Sequence, residues 1–260
     1  MKKDSKWALV TGASSGFGID FSNQLAERGY NLILTARRVD RLQAQKKHLE
    51  TTYGVKAEVI ASDLAQADAP AQLHRQIQAQ GIAVDVLINN AGYGVFGEFA
   101  GTEWEKTSAM LQVDIVALTH LTKLFADDMK KRGSGHILLI SSIGAYQATP
   151  TYAAYSAAKA YVLSFGEAIH AELKPFGVNV SVLSPGVTAT EFLERAGQRP
   201  TLYQRAVMMK SAPVARIGLK AMFGGVPSVL PGLINKLTVF SLRFAPRKLQ
   251  AKMAYLLMRN

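Results

Sequence analysis

Short apolar runs alternate with longer stretches of helical spacing over the first 185 residues of the chain. Residues 7–11, 31–35, 55–61, 84–88, 136–140 and 178–183 are too short for helices and are bounded by turn or polar residues, so each is read as a strand. Between them, residues 17–28, 39–52, 67–80, 103–131 and 152–174 carry the helical signal. Phe21 and Leu25 share one face of the first, Gly29 closes it, and Gly133-Ser134-Gly135 stops the long fourth one. Strands alternating with helices of this length require right-handed crossovers, which build a parallel sheet with helices on both faces. Residues 226–230, a short run containing Pro227, stand where a seventh strand is expected.

Composition changes this picture in a few respects. With 260 residues and 48% apolar content, the chain can bury one sizeable core, so a single domain is expected. There is no cysteine, which excludes disulfides, zinc–thiolate sites and thiol catalysis. The five histidines show no metal-ligand spacing and are read as surface or loop residues, with no metal expected. After the basic start the apolar run lasts only from Trp7 to Val10, which predicts no export signal and a cytoplasmic location. No window of roughly 18 uncharged apolar residues is found for a membrane span.

The net charge of +11 is uneven: residues 1–194 hold 18 Lys+Arg and 19 Asp+Glu, whereas residues 195–260 hold 12 Lys+Arg and no acid. The imbalance points to an anionic partner for residues 195–260, such as a membrane surface, which would place the protein at the inner face of the membrane, or an acidic acyl carrier. Nucleic acid is not expected.

The candidate chemistry lies in a few short stretches. Residues 141–159, SSIGAYQATPTYAAYSAAK, carry a hydroxyl, a phenol and an ammonium that can converge on one carbonyl. Tyr155 and Lys159 are four apart, hence on one helix face, and only a loop through Gly144 and Pro150 can bring Ser142 back to them. The turn TGASSGFG joins the first strand to the first helix. Its Gly12, Gly16 and Gly18, with Ser14, Ser15 and Phe17 between them, let backbone N–H groups and a helix N-terminus approach a pyrophosphate. The second strand ends at Arg37-Arg38, where an adenosine ribose would lie. Arginine there suits a 2′-phosphate, so NADP(H) is expected over NAD(H), two solvated arginines being the alternative. Asp63, followed by Leu64, is either an adenine contact or a helix N-cap. Asn89-Asn90-Ala91-Gly92 follows the fourth strand at its carboxyl end, where amide side chains can bridge backbone groups across the crevice.

Taken together, residues 11–18, Asn89 to Gly92, Ser142, Tyr155 with Lys159, and Pro185-Gly186-Val187 followed by Thr190 resemble the short-chain dehydrogenase/reductase family over residues 6 to about 195. The resemblance implies an α/β fold: a single Rossmann-like, doubly wound domain with a seven-stranded parallel sheet. It also implies hydride transfer between a nicotinamide cofactor and a carbonyl or alcohol. By that resemblance Tyr155 is the general acid or base, Lys159 binds the nicotinamide ribose and depresses the Tyr155 pKa, and Ser142 donates to the substrate oxygen. The physics agrees, because a phenol with a pKa of ~10 is a poor base at neutral pH and an adjacent ammonium stabilises its phenolate. The family assembles as homodimers or homotetramers through close helix packing, which Ala153, Ala154, Ala157 and Ala158 suit. One position departs from the pattern: the family's long helix usually carries an asparagine where this chain has Asp114. Its backbone carbonyl remains for a proton relay, so Asp114 is expected to be tolerated.

Residues 1–198 are therefore expected to form the cofactor-binding and catalytic part, and 199–260 a substrate loop and a basic amphipathic helical extension of the same domain. Phe192, Leu193, Tyr203, Met208 and Met209 suit a bulky apolar ligand, with Tyr93, Val95, Phe96 and Phe99 on its other side. Core packing beneath a loop is the alternative for each. On a helical wheel Leu233, Ile234, Leu237, Phe240 and Phe244 fall in one arc opposite Asn235, Lys236 and Arg243, and Ala245-Pro246 separates this helix from a second basic one. Three roles are open for it: a lid or interface packed on the domain, docking on an anionic membrane, or attraction of an acidic carrier such as coenzyme A or acyl carrier protein. More loosely, the tail resembles reductases similar to 3-oxoacyl and hydroxysteroid reductases, which implies lipid-like substrates. The expected function is NADP(H)-dependent reduction of an apolar ketone or acyl substrate. The alternatives are a dehydratase or epimerase of the same fold, and a nucleotide-binding regulator or membrane-docked scaffold without turnover.

Overall fold

The computed structural model describes residues 6–259. Seven parallel strands form one sheet in the order β3-β2-β1-β4-β5-β6-β7: β1 (Trp7–Thr11), β2 (Asn31–Ala36), β3 (Ala57–Ala61), β4 (Val84–Asn89), β5 (Gly135–Ile140), β6 (Val178–Leu183) and β7 (Ser228–Val229). The helices α1 (Phe17–Ala26), α2 (Val39–Tyr53), α3 (Ala69–Ala79), α4 (Trp104–Leu111), α5 (Leu118–Arg132) and α6 (Ala153–Leu173) supply the crossovers. The expected doubly wound α/β domain is thus present. β7 is shorter than residues 226–230, with only two residues paired to Val182 and Leu183.

Parallel strands covered on both faces are apolar on both sides. Leu9, Ile33, Leu87 and Ile137 meet Leu73 and Ile77 of α3, Leu121 and Phe125 of α5, and Val162 of α6. Ala8, Leu32, Val86 and Leu138 meet Phe21 and Leu25 of α1 and Leu42 and Leu49 of α2 on the opposite face. α4 and α5 run on from one another through a π-helical turn at Gln112–Ala117, and Gly133 ends α5 at φ 73°. By length and composition this continuous helix, Trp104–Arg132, is apolar enough to cross a membrane, although Asp114 and Lys123 leave no 18-residue window of it uncharged. Half of its apolar window is buried inside the protein, and core packing accounts for that composition.

Two expectations are corrected here. The histidines all sit in helices or strands, and His170 overturns the surface-or-loop reading: it is buried on α6, its Nδ1 donating to the Val180 carbonyl at 2.6 Å. The second correction concerns the stretch between Thr190 and β7, which holds three α-helices: α7 (Phe192–Ala196), α8 (Leu202–Val207) and α9 (Ser211–Phe223). α9 is a core element, because Val214, Ala215, Leu219 and Met222 complete the second face of the sheet. Their helical spacing is present in the sequence but diluted by Pro213, Ala215 and Gly218. Small residues here serve close approach. A Cβ on Gly218 would lie 2.8 Å from Leu183, and one on Gly166 of α6 would lie 2.2 Å from Val182, so two helices press on neighbouring residues of β6 from opposite faces. Leu219→Ala is expected to lower unfolding free energy by about 2–5 kcal/mol in denaturant titration. A loss below about 0.5 kcal/mol, the size of a surface change, would place α9 outside the core.

Candidate active site

The carboxyl ends of β1, β4, β5 and β6 open into one cavity of about 530 Å³, the crevice position expected for a ligand in such a sheet. Its floor is tied together by side chains of the first and fourth strands. Thr11 Oγ1 accepts from the backbone N–H groups of Asn90 (2.9 Å) and Ala91 (2.8 Å), and Asn90 Nδ2 donates to the Thr11 carbonyl at 2.8 Å. A Cβ on Gly12 would meet Asn90 Nδ2 at 2.9 Å, and Gly16 has φ 50°. The βα turn therefore presents bare backbone to the cavity.

Of the residues singled out in the sequence, Gly12, Ser14, Ser15, Gly16, Phe17, Arg37, Arg38, Asp63, Leu64, Asn90, Ala91 and Gly92 line this cavity. So do Ser142, Tyr155, Lys159, Pro185, Gly186, Val187 and Thr190. Gly18 does not. Its missing Cβ would lie 2.2 Å from the Gly12 carbonyl oxygen, so it lets the start of α1 pack on the turn. Asp63 is no helix cap, because α3 begins at Ala69, and its Oδ1 accepts from the Ala65 N–H at 3.2 Å.

Asp114 stands just behind the cavity wall, fully buried on the π-helical turn. Its Oδ2 is 2.9 Å from Lys159 Nζ, and its Oδ1 accepts from the Tyr93 N–H at 3.1 Å. Lys159 also donates to the Ile140 carbonyl at 3.1 Å, and Ser141 Oγ donates to the Lys159 carbonyl at 2.7 Å, fastening α6 to the end of β5. A Cβ on Gly92 would lie 2.9 Å from Asp114 Oδ1 and 3.1 Å from Lys159 Nζ, so the pair has room only beside glycine. Ser142 Oγ accepts from the Gly144 N–H at 3.1 Å. The residue before Tyr152, Thr151, is held at φ 69°, a strained value for a β-branched side chain.

Electrostatics at this point differ from expectation. Burial pushes the Asp114 carboxyl above its usual range, and the charge of Lys159 opposes that shift. The Tyr155 phenol is raised, first by burial and then by the negative charge of Asp114, with a hydrogen bond from Ser142 pulling the other way. In the protein alone, then, the Tyr155 pKa is raised on balance, burial and the charge of Asp114 outweighing the hydrogen bond from Ser142. Lys159 Nζ nevertheless lies 5.6 Å from the centre of the Tyr155 ring.

The far end of the cavity is rich in arginine. Glu191 bridges Arg38 at 2.9 Å and Arg41 at 2.5 Å, strapping the segment after β6 to the start of α2. The two guanidinium groups hold the Glu191 carboxyl below its usual range, Arg41 most strongly. Arg37 is exposed, faces the same space and pairs with no carboxylate among the described residues. Arg195, exposed and lining the same cavity, has its pKa lowered by desolvation first and by the charges of Arg37 and Arg38 second. Neither Glu191 nor Arg195 was legible in the sequence, since the Arg38–Glu191 contact joins positions 153 apart.

The other end is apolar. Phe192, Leu193, Tyr203 and Tyr93 line it as expected, whereas Val95, Phe96, Phe99, Met208 and Met209 do not. Phe96 packs on Tyr152 at 5.3 Å between ring centres, Phe99 is exposed, and Met209 packs on the core. Two final helices, α10 (Leu233–Ser241) and α11 (Arg247–Met258), form the remaining wall through Thr238, Leu242, Leu249, Met253 and Leu257. A buried amide network anchors this wall: Tyr152 Oη donates to Gln198 Oε1 (2.9 Å), Gln204 Nε2 donates to the same oxygen (3.0 Å), and Gln198 Nε2 donates to the Met258 carbonyl (2.6 Å). The tail thus borders the cavity, but not by packing its apolar arc inward. Leu233, Ile234, Leu237, Phe240 and Phe244 point to solvent, while Asn235 is buried and donates to the Pro231 carbonyl at 2.7 Å.

Comparison with known proteins places these features in a family. The family model described as "short chain dehydrogenase" matches residues 6–200. A very-long-chain 3-oxoacyl-CoA reductase from Phaeosphaeria nodorum is 33% identical over 71% of this chain and 55% of its own length. A 17-beta-hydroxysteroid dehydrogenase type 3 from Rattus norvegicus is 31% identical over 73% of this chain and 62% of its own. The chain therefore spans little more than half the length of these curated relatives. Among solved structures, a short-chain dehydrogenase from Sphingobium yanoikuyae in complex with NADPH superposes with a TM-score of 0.84 at 29% identity, covering 94% of each chain.

Proposed function

The chain belongs to the short-chain dehydrogenase family, and on that premise we propose that it is an NADP(H)-dependent reductase of apolar ketones, reversible as an alcohol dehydrogenase. The observation that carries the reading is the meeting of Ser142, Tyr155 and Lys159 with the glycine turn and Asn90 to Gly92 around one cavity.

The residues present fit a nicotinamide dinucleotide. Gly12 and Gly16 leave backbone where a side chain would collide, and the unpaired Arg37 beside Arg38 suits a 2′-phosphate. Asp63 and Leu64 would border the adenine, Asn90 to Gly92, Pro185 to Val187 and Thr190 the nicotinamide half, and Lys159 the ribose. Bound there, the cofactor supplies or accepts the hydride. The chain's own residues handle the proton. The Tyr155 phenol, kept protonated by burial and by Asp114, donates to the carbonyl oxygen as it becomes an alkoxide, and the Ser142 hydroxyl gives the same oxygen a second hydrogen bond. A phenol held protonated is available as the proton donor in reduction, whereas alcohol oxidation needs it deprotonated. Asp114 holds Lys159 in place, and it is tolerated in this role.

The names of the two curated relatives support a long acyl or steroid-like ketone, as do the apolar walls Phe192, Leu193, Met253 and Leu257. A cytoplasmic homodimer or homotetramer is proposed, with exposed Val116 of the π-helical turn and exposed Tyr161 of α6 in its contact.

Tyr155→Phe is expected to lower NADPH oxidation with a ketone panel about 10²–10⁴-fold while NADPH binding, read by fluorescence, is retained; unchanged turnover would refute the assignment. Arg37→Ala is expected to raise KM for NADPH roughly tenfold and leave that for NADH alone. A wild-type KM lower for NADH than for NADPH would overturn the cofactor preference. Alcohol oxidation needs the phenolate, so its rate is expected to climb through the alkaline range. In Asp114→Asn one charge that raises the phenol is gone, and the climb should move to lower pH. An unmoved profile, or a hundredfold gain in rate at neutral pH, would contradict the role given to Asp114.

A further inference from the structure

We infer that the outer face of α10 and α11 docks on the surface of an anionic lipid bilayer. α10 is turned the wrong way for a helix that belongs on the outside of a soluble protein. Such a helix normally buries its apolar stripe and shows its polar side to water. Here Asn235 is buried and Thr238 faces the cavity, while Leu233 is 72%, Ile234 60%, Leu237 59%, Phe240 55% and Phe244 76% exposed. α11 continues the pattern with exposed Leu249, Met253, Leu256 and Leu257.

The charge on these helices selects the partner. Lys236, Arg243, Arg247, Lys248 and Lys252 are all exposed, and no acid occurs between residues 195 and 260. Large apolar side chains on helices that themselves carry only cations are the chemistry of a helix lying in a membrane interface, its side chains in the acyl boundary and its cations among anionic headgroups. A second copy of this chain laid on the same face would set cations against cations. An acidic carrier would answer the charge and leave the apolar arc in water. A bilayer with anionic headgroups answers both. The two helices are also pre-set as a unit: Gln250 Nε2 donates to the carbonyls of Leu242 and Ala245, each at 2.8 Å, locking the hairpin between them.

Leu249, Met253 and Leu257 belong both to the exposed face and to the cavity lining, so docking sets the cavity rim against the bilayer. An apolar ketone then reaches the cavity without crossing water. The docking itself rests on the outer face and is independent of the reaction proposed above.

The test uses the full chain, sedimented with vesicles of phosphatidylcholine alone or mixed with phosphatidylglycerol, at low and high salt. Binding is expected only to the mixed vesicles and is expected to fall as salt rises. The double variant Leu237→Asp, Phe240→Asp should bind roughly tenfold more weakly or worse, because two large apolar side chains no longer enter the acyl boundary. It should keep its far-ultraviolet circular dichroism and its reduction of a small water-soluble ketone. Lys248→Glu with Lys252→Glu should weaken binding to the mixed vesicles only. The inference fails if the wild type stays in solution with phosphatidylglycerol vesicles, or if the aspartate variant sediments like the wild type. It fails equally if that variant instead abolishes a concentration-dependent dimer or the binding of acyl carrier protein, with no vesicle binding by the wild type. Vesicle binding by a chain that reduces no ketone supports the docking and sinks the reaction assignment alone.

Discussion

The buried contact between Lys159 and Asp114 is the constraint on which the site depends. An ion pair out of reach of water returns little net stability, because desolvation offsets the attraction. What this pair contributes is position. It joins α6 to the π-helical turn of the long helix at 2.9 Å, takes the Tyr93 N–H and the Ile140 carbonyl as further partners, and presses against the bare Cα of Gly92. The ends of β4 and β5 are thereby indexed to the helix that carries Tyr155. Removing the Lys159 ammonium would leave the Asp114 carboxylate buried without a counterion, which the fold tolerates poorly.

The same pair sets the electrical character of the phenol. Tyr155 sits near a cation whose charge is spoken for and within reach of the anion that neutralises it, and the net effect raises its pKa. The bare protein therefore holds the phenol protonated, the form that the proposed reduction uses. At the two ends of the cavity the surroundings diverge further: arginines strapped by Glu191 on one side, aromatic and aliphatic walls anchored by Gln198 and Gln204 on the other. A parallel sheet supplies the crevice, and the side chains at its rim decide what the crevice is for.

Much of this was legible because it is local. Strand and helix alternate in the periodicity, Gly133 stops a helix because only glycine turns left-handed at no cost, and Tyr155 meets Lys159 on one face because they are four apart. The glycine turn is legible for the same reason, although Gly18 proved to serve packing and not the cavity. The reading of Asp63 as a cap failed because α3 starts later than the pattern suggested, after Asp68. α9 went unread because its apolar residues are interrupted by Pro213 and Gly218, and only the sheet beneath reveals that they are core.

The sequence by itself determined the fold class, the cavity's position and its central residues, Ser142, Tyr155, Lys159 and the glycine turn. Only the tertiary structure decided that Asp114 faces Lys159, that Glu191 reaches Arg38 across 153 positions, and that the tail walls the cavity with its inner side. The physical reason is the same in each case. Periodicity states that a helix such as α10 has an apolar side, but the direction in which that side points depends on which surfaces meet when the chain closes, and here it points away from the protein.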